Sequence, residues 1–185
     1  MKKLFFFIAI VTFLQNSYAQ KYITRNGYIR FFSSTSVEDI EAKNYQFTSI
    51  LDASTGEMVF KGLMKSFQFP KALMQEHFNE KYVESDKYPN AEFKGKIKYF
   101  KPEMLKSGKP VEVVVEGDLT MHGVTKKVSE KGTIELKTDG KVVAKSQFKV
   151  KPEDYGIKIP SLVRNSIAEV MDIFVDIEYA PLAKK

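Results

Sequence analysis

Residues 93–99 alternate apolar or small side chains with lysine: Phe93-Lys94-Gly95-Lys96-Ile97-Lys98-Tyr99. A period of two builds a strand with one dry face and one face in water, and no helix can segregate such a pattern. The next stretch repeats it. Val111, Val113, Val115, Leu119 and Met121 fall on one parity, against Glu112, Glu116, Asp118 and Thr120 on the other, with Val114 the exception. Near the C-terminus Met171, Ile173, Val175, Ile177 and Tyr179 alternate with Asp172, Phe174, Asp176 and Glu178. Weaker versions run over 28–35, 45–51, 57–69, 133–137 and 142–150. The chain is therefore dominated by strands that each have one greasy face.

Turn residues punctuate these strands. Asp139-Gly140 reads as a two-residue hairpin, because a type I′ turn needs positive φ at both positions. His122-Gly123 reads the same way, between 119–121 and 124–125. Asn26-Gly27, Thr55-Gly56 and Ser107-Gly108 mark further boundaries. Only one helix is predicted. Pro70 suits its first turn, and Met74, Phe78 and Tyr82 recur every four residues with Leu73 beside them. That stripe predicts packing against one end of the domain.

About eight strands and one short helix predict an all-β up-and-down barrel or a sandwich. A closed barrel leaves no exposed sheet edge. A membrane barrel needs its apolar side chains outside. Lys94, Lys96 and Lys98 on a lipid-facing wall would then cost about 2–4 kcal/mol each near the bilayer midplane. Stable membrane insertion is therefore not expected.

Residues 1–19 read as a signal peptide. Lys2 and Lys3 form a basic start, residues 4–14 an apolar stretch, and Ser17-Tyr18-Ala19 a cleavage motif ending at Ala19. The apolar run is shorter than the roughly 20 residues a spanning helix needs. No cysteine follows it, which excludes a lipoprotein anchor and any disulfide. The expected product is one domain, residues 20–185, that is periplasmic or secreted. Removing Lys2 and Lys3 from the formal +6 leaves +4, and its lysines are interspersed with Glu and Asp. That is a solvated surface, and no nucleic-acid partner is expected.

Several segments resemble one known family. They are 66–82, which contains Phe67-Gln68-Phe69-Pro70; Tyr88-Pro89-Asn90-Ala91-Glu92-Phe93; Leu119-Thr120-Met121-His122-Gly123-Val124-Thr125-Lys126; and Asp154-Tyr155-Gly156-Ile157. Together they are similar to the landmarks of the YceI-like family of exported bacterial lipid-binding proteins. The opening strand, Tyr22 to Gly27, departs from the more acidic, His-Ser-containing start of many relatives. The resemblance implies a lipocalin-like eight-stranded antiparallel β-barrel around a long apolar tunnel. It also implies an isoprenoid or fatty-acyl lipid as partner; on the residues themselves no cofactor or metal is expected.

The inward parity selects Phe31, Phe47, Phe60, Phe93, Ile97, Tyr99, Val113, Val115, Leu119, Phe148, Met171 and Ile173 as the lining. On the residues alone these read as a filled core; the resemblance implies a lined cavity. Lys158 and Arg164, flanking Ile159-Pro160-Ser161, are the candidate head-group contacts. Catalysis lacks a cysteine nucleophile and a visible acid–base pair. His77 and His122 are the only histidines, and His77 with Glu80 supplies too few ligands for zinc. Asp52-x-Ser54-x-Gly56 has its glycine misplaced for a calcium loop and reads as a hairpin turn. The competing expectation is a filled barrel that binds a protein in envelope stress or assembly through outer-face Phe32, Ile50, Val114 and Phe174. A homodimer is compatible with the sequence and unspecified by it.

Overall fold

The computed structural model describes residues 20–183; the expected signal peptide, residues 1–19, lies outside them. Eight strands follow in chain order: β1 (Lys21–Ser34), β2 (Asp39–Asp52), β3 (Glu57–Leu63), β4 (Asn90–Ile97), β5 (Val111–Met121), β6 (Val124–Leu136), β7 (Val142–Val150) and β8 (Met171–Pro181). Each pairs antiparallel with the next, and β8 returns to β1 with Phe31 opposite Ile173. The sheet is a closed barrel, which decides between the two architectures left open by the strand pattern.

Alternation explains the wall. Lys94, Lys96 and Lys98 are exposed while Ile97 is buried. Across β7 and β8 the outer face is zipped by ion pairs between opposed or neighbouring residues: Lys141 with Glu178 at 2.6 Å, Lys145 with Asp176 at 2.7 Å and Lys149 with Asp172 at 2.9 Å. Exposed pairs of this kind contribute roughly 0.2–1 kcal/mol each. The outer-face apolar residues do not gather into one patch. Phe32 and Phe174 flank Arg30, whose guanidinium lies 3.8 Å over the Phe174 ring. Ile50 sits opposite Val59 on the β2–β3 pair, and Val114 is on β5.

Some boundaries differ from expectation, each for a local reason. Asn26-Gly27 is not a boundary: β1 runs through it with two shifts of register. A Cβ on Gly27 would stand 2.5 Å from Ile177 Cδ1 and 2.9 Å from the Phe47 carbonyl, so the glycine permits a close crossing inside a continuous strand. His122-Gly123 is the expected type I′ turn, with φ of 52° and 74°. Asp139-Gly140 is instead part of a three-residue loop. Only Gly140 has positive φ, and the Lys137 N–H donates to the Lys141 carbonyl at 2.8 Å. β3 ends at Leu63 rather than Phe69. A 3-10 turn at Met64–Ser66 swings the chain inward and buries Met64 and Phe67. β6 is continuous from Val124 to Leu136, although the polar run 126–131 hid its middle.

The helix α1 (Ala72–His77) starts two residues after Pro70, with Lys71 at its N-cap, and passes directly into a wide π-helical turn, Phe78–Tyr82. Together they cover one end of the barrel. The opposite end is stoppered by a fully packed cluster that includes Tyr22, Leu51, Leu105, Ile134, Val142 and Tyr179.

One seam in the wall is incomplete. β6 and β7 pair only from Leu136↔Val142 to Gly132↔Ser146. Beyond that point β6 continues alongside β5 as far as Val124, and β7 alongside β8 as far as Val150. The two strands diverge, and the 3-10 turn Pro152–Tyr155 fills the wider part of the wedge with buried Pro152 and Tyr155.

Candidate ligand cavity

The interior is hollow. A cavity of about 390 Å³ lies beneath α1, and a second of about 140 Å³ lies deeper in the barrel. Ile29, Phe47, Ala91, Leu119, Phe148 and Val175 line both, so the two are stations along one apolar lumen. The combined space falls within the range of small-molecule pockets, roughly 300–1,000 Å³.

Why the centre stays open can be read from β4 and β5. Gly95 and Gly117 face each other across the pair, on the inward parity. A Cβ on Gly117 would come within 2.8 Å of Phe93 Cζ, and one on Gly95 would strike the same ring. With no side chains there, the Phe93 ring folds back against the wall instead of crossing the lumen. Phe60 meets it edge-on at 6.0 Å. At the α1 end an aromatic cluster forms the ceiling: Phe31 contacts Phe67, Phe69 and Phe78 at centroid distances of 5.5, 5.7 and 5.6 Å. Offset and edge-on contacts of this kind are each worth about 0.5–1.5 kcal/mol beyond area burial.

Eleven of the twelve lining residues read from parity border the lumen. Phe31, Met171 and Ile173 face the upper cavity. Phe60, Phe93, Ile97, Val113 and Val115 face the lower one, and Phe47, Leu119 and Phe148 face both. Tyr99 is the correction. The β4–β5 connection turns at Tyr99 with φ of 53°, which breaks the alternation after Ile97 and leaves the ring 82% exposed. Lys158 and Arg164 line neither cavity. Lys158 points to solvent between inward-facing Ile157 and Ile159, and Arg164 pairs with Glu153 at 2.7 Å and Glu169 at 3.5 Å.

Parity alone missed the ceiling. Phe67, Phe69, Ile157, Ile159, Val163 and Ile167 border the upper cavity from connections rather than strands. The alternation Ile157-Lys158-Ile159 was the available signal. Met74, Phe78 and Tyr82 reach the cavity as the helical stripe predicted, whereas Leu73 is exposed. Polar groups are few in the lumen. Glu38, His77 and Ser166 stand at the upper cavity, and Glu38 is held by Lys71 at 2.9 Å. In the lower cavity Glu130 faces inward from β6, and burial pushes its carboxyl above the ordinary carboxylate value.

His122 clasps the wall below the ceiling. Its Nδ1 donates to the Tyr155 carbonyl at 3.0 Å, its Nε2 meets Glu84 Oε2 at 2.8 Å, and its ring packs edge-on against Tyr88 at 4.4 Å. The His-Gly turn thereby ties the wedge-filling segment to the chain leaving the helix, rather than bonding only to its own backbone.

Several solved structures share this architecture at low sequence identity. A polyisoprenoid binding domain from Saccharophagus degradans, implicated in plant cell wall breakdown, superposes with a TM-score of 0.77 at 14% identity, over 89% of this chain and 99% of that one. BcnA from Burkholderia cenocepacia does so with a TM-score of 0.69 at 15% identity, over 83% and 96%. The YCEI protein of Campylobacter jejuni gives 0.60 at 15% identity, over 77% and 85%. No curated protein sequence matches the chain. The tyrosine that opens the inner face of β1 and the one that ends that of β8 bound a sequence match to the YceI-like domain, residues 22–179, and the chain therefore belongs to the YceI-like family.

Proposed function

We propose that this protein is a non-catalytic carrier of a long-chain amphiphile, a polyisoprenoid or related lipid, whose hydrocarbon lies in the barrel. The observation that carries this reading is the unfilled lumen. Phe60, Phe93, Val115, Leu119, Phe148 and Ile173 all line the cavities and are only partly buried, so part of each side chain borders open space instead of protein. Apolar surface left uncovered inside a barrel favours a hydrocarbon guest.

Ten buried methylene groups contribute about 8 kcal/mol, at roughly 0.8 each. Association costs are of similar size, about 4–15 kcal/mol, so useful affinity calls for a chain well beyond ten carbons. The polyisoprenoid-binding relative, with its full-length fold similarity, supports that ligand class. The leader-like residues 1–19 support export, with cleavage after Ala19 and function outside the cytoplasm. Lys158 and Arg164, set apart from the lumen, have no part in the proposal. Nor does the filled barrel acting through its outer face, since the interior is open and the outer apolar residues are dispersed.

The test is native mass spectrometry of protein purified from its own cell envelope without detergent. A co-purifying lipid, together with a rise in melting temperature when prenyl lipid is added to delipidated protein, is the expected result. Protein that leaves the envelope empty and whose melting is indifferent to prenyl and fatty-acyl lipids would overturn the carrier reading.

A further inference from the structure

The incomplete seam opens onto the lower cavity. Val128, Glu130 and Gly132 on β6, and Lys145, Ser146 and Phe148 on β7, border that cavity from the two sides of the divergence. The seam is finished by side chains instead of ladder bonds. Ser146 Oγ donates to the Lys131 carbonyl at 2.6 Å just past the last paired residues, and Tyr155 fills the wide end. Between these two stops lies Glu130.

Its position on β6 follows from the strand's parity: Val128, Glu130, Gly132 and Ile134 share the inner face, and Ile134 is wholly buried. Among the described residues Glu130 makes no ion pair and no side-chain hydrogen bond. Lys145, which borders the same cavity, turns outward to Asp176 at 2.7 Å. Glu130 is half-buried beside apolar side chains and its carboxylate oxygens stay accessible, so a cation there would meet a partly desolvated carboxylate with no protein donor. The other carboxylates that border the cavities, Glu38 and Glu92, already have Lys71 at 2.9 Å and Lys61 at 2.7 Å.

We propose that the β6–β7 gap is a side port of the lower cavity, at which Glu130 receives the ammonium head group of a cationic amphiphile. This rests on the carrier reading and adds to it a head-group chemistry and a location. The hydrocarbon lies in the lumen, and the charged end emerges laterally at Glu130 rather than beneath α1. A carboxylate–ammonium contact is charge-assisted and stronger than a neutral hydrogen bond. The site therefore discriminates between head groups on the same tail.

The experiment measures displacement of the neutral fluorophore N-phenyl-1-naphthylamine from delipidated full-length protein by two amphiphiles of equal length, hexadecylamine and hexadecanol, near neutral pH. The wild-type protein is expected to prefer the amine by about tenfold, equivalent to 1.4 kcal/mol. Glu130→Gln is expected to lose that preference, and Glu38→Gln to keep it. Glu130→Ala serves if the glutamine variant misfolds, and the wild-type ratio needs no variant at all. Equal binding of both amphiphiles by the wild-type protein would overturn the side port while leaving the carrier reading intact. Loss of the preference in Glu38→Gln but not in Glu130→Gln would overturn it too, by moving the head group to the mouth. Failure of both amphiphiles, and of prenyl lipid, to displace the fluorophore would remove the carrier reading and this proposal together.

Discussion

The hydroxyl groups of Ser49 on β2 and Tyr179 on β8 share a 2.8 Å hydrogen bond in the stoppered end of the barrel, both shielded from solvent. β1 lies between their strands, so the bond braces two strands that never pair directly. Tyr179→Phe strands the serine hydroxyl in the core and is expected to destabilise by about 1–3 kcal/mol. Ser49→Ala does the same to the phenol. The double variant should cost less than the sum of the two, since neither hydroxyl is then left unpartnered. Urea unfolding of the four proteins measures this, and strict additivity would show the bond contributes nothing.

Burial also holds the Tyr179 phenol un-ionised well above the ordinary tyrosine value of 10.0. An acid whose folded-state pKa is raised favours folding fully below the unfolded pKa and loses that contribution as pH climbs past it. Stability is expected to fall as pH rises beyond 10, with a shallower fall in Tyr179→Phe. Identical alkaline melting curves for the two proteins would contradict this.

Glu130 has a consequence of the same sign at acid pH. Its carboxyl is raised by desolvation, so the unfolded chain releases the proton first as pH increases from the ordinary value of 4.5. The folded protein therefore loses stability across that window, and the loss persists at neutral pH. Without ligand, Glu130→Gln is expected to melt higher than wild type near neutrality and to converge with it in acid. Scanning calorimetry at several pH values tests this; a glutamine variant that is less stable at neutral pH would contradict it.

Ala91 stands where the two cavities meet. Ala91→Phe fills that junction with a ring and is expected to reduce lipid occupancy at least about tenfold, or 1.4 kcal/mol. The change in stability should stay within about 1–3 kcal/mol, the usual cost of added core volume. Native mass spectra of the purified variant give the occupancy. A well-folded variant that still carries lipid at the wild-type level would place the chain elsewhere.

His122→Ala removes a tertiary tie and puts alanine at φ of 52°, which alanine tolerates poorly. A loss of about 2 kcal/mol is expected from the stranded Tyr155 carbonyl and the strained turn. His122→Asn should be milder, because asparagine accepts left-handed backbone. Hydrogen exchange should accelerate around 152–157 in both. Protection there that matches wild type would separate the wedge-filling segment from the histidine.

Much of the barrel is legible from parity, because a strand with one wet face must alternate and lysine marks the wet side without ambiguity at 94, 96 and 98. The signal weakens wherever geometry overrides period. Tyr99 follows the alternation on paper, yet a single residue with positive φ takes it off the wall. The middle of β6 was hidden because its inward positions include Glu130 and Gly132, which no hydrophobic count would select. Counting back by twos from buried Ile134 would have placed Glu130 inside. The ceiling was least legible. Phe67, Ile157 and Val163 sit in connections, where burial depends on what the chain folds over and not on any local repeat.

The packed end around Leu51 and Tyr179 has a kinetic corollary. A lumen closed at its base cannot be threaded end to end: an occupant has to withdraw beneath α1 or through the β6–β7 wall before a successor can lie in its place. Exchange of cargo should then proceed at a pace set by departure alone, unmoved by how much competitor waits outside.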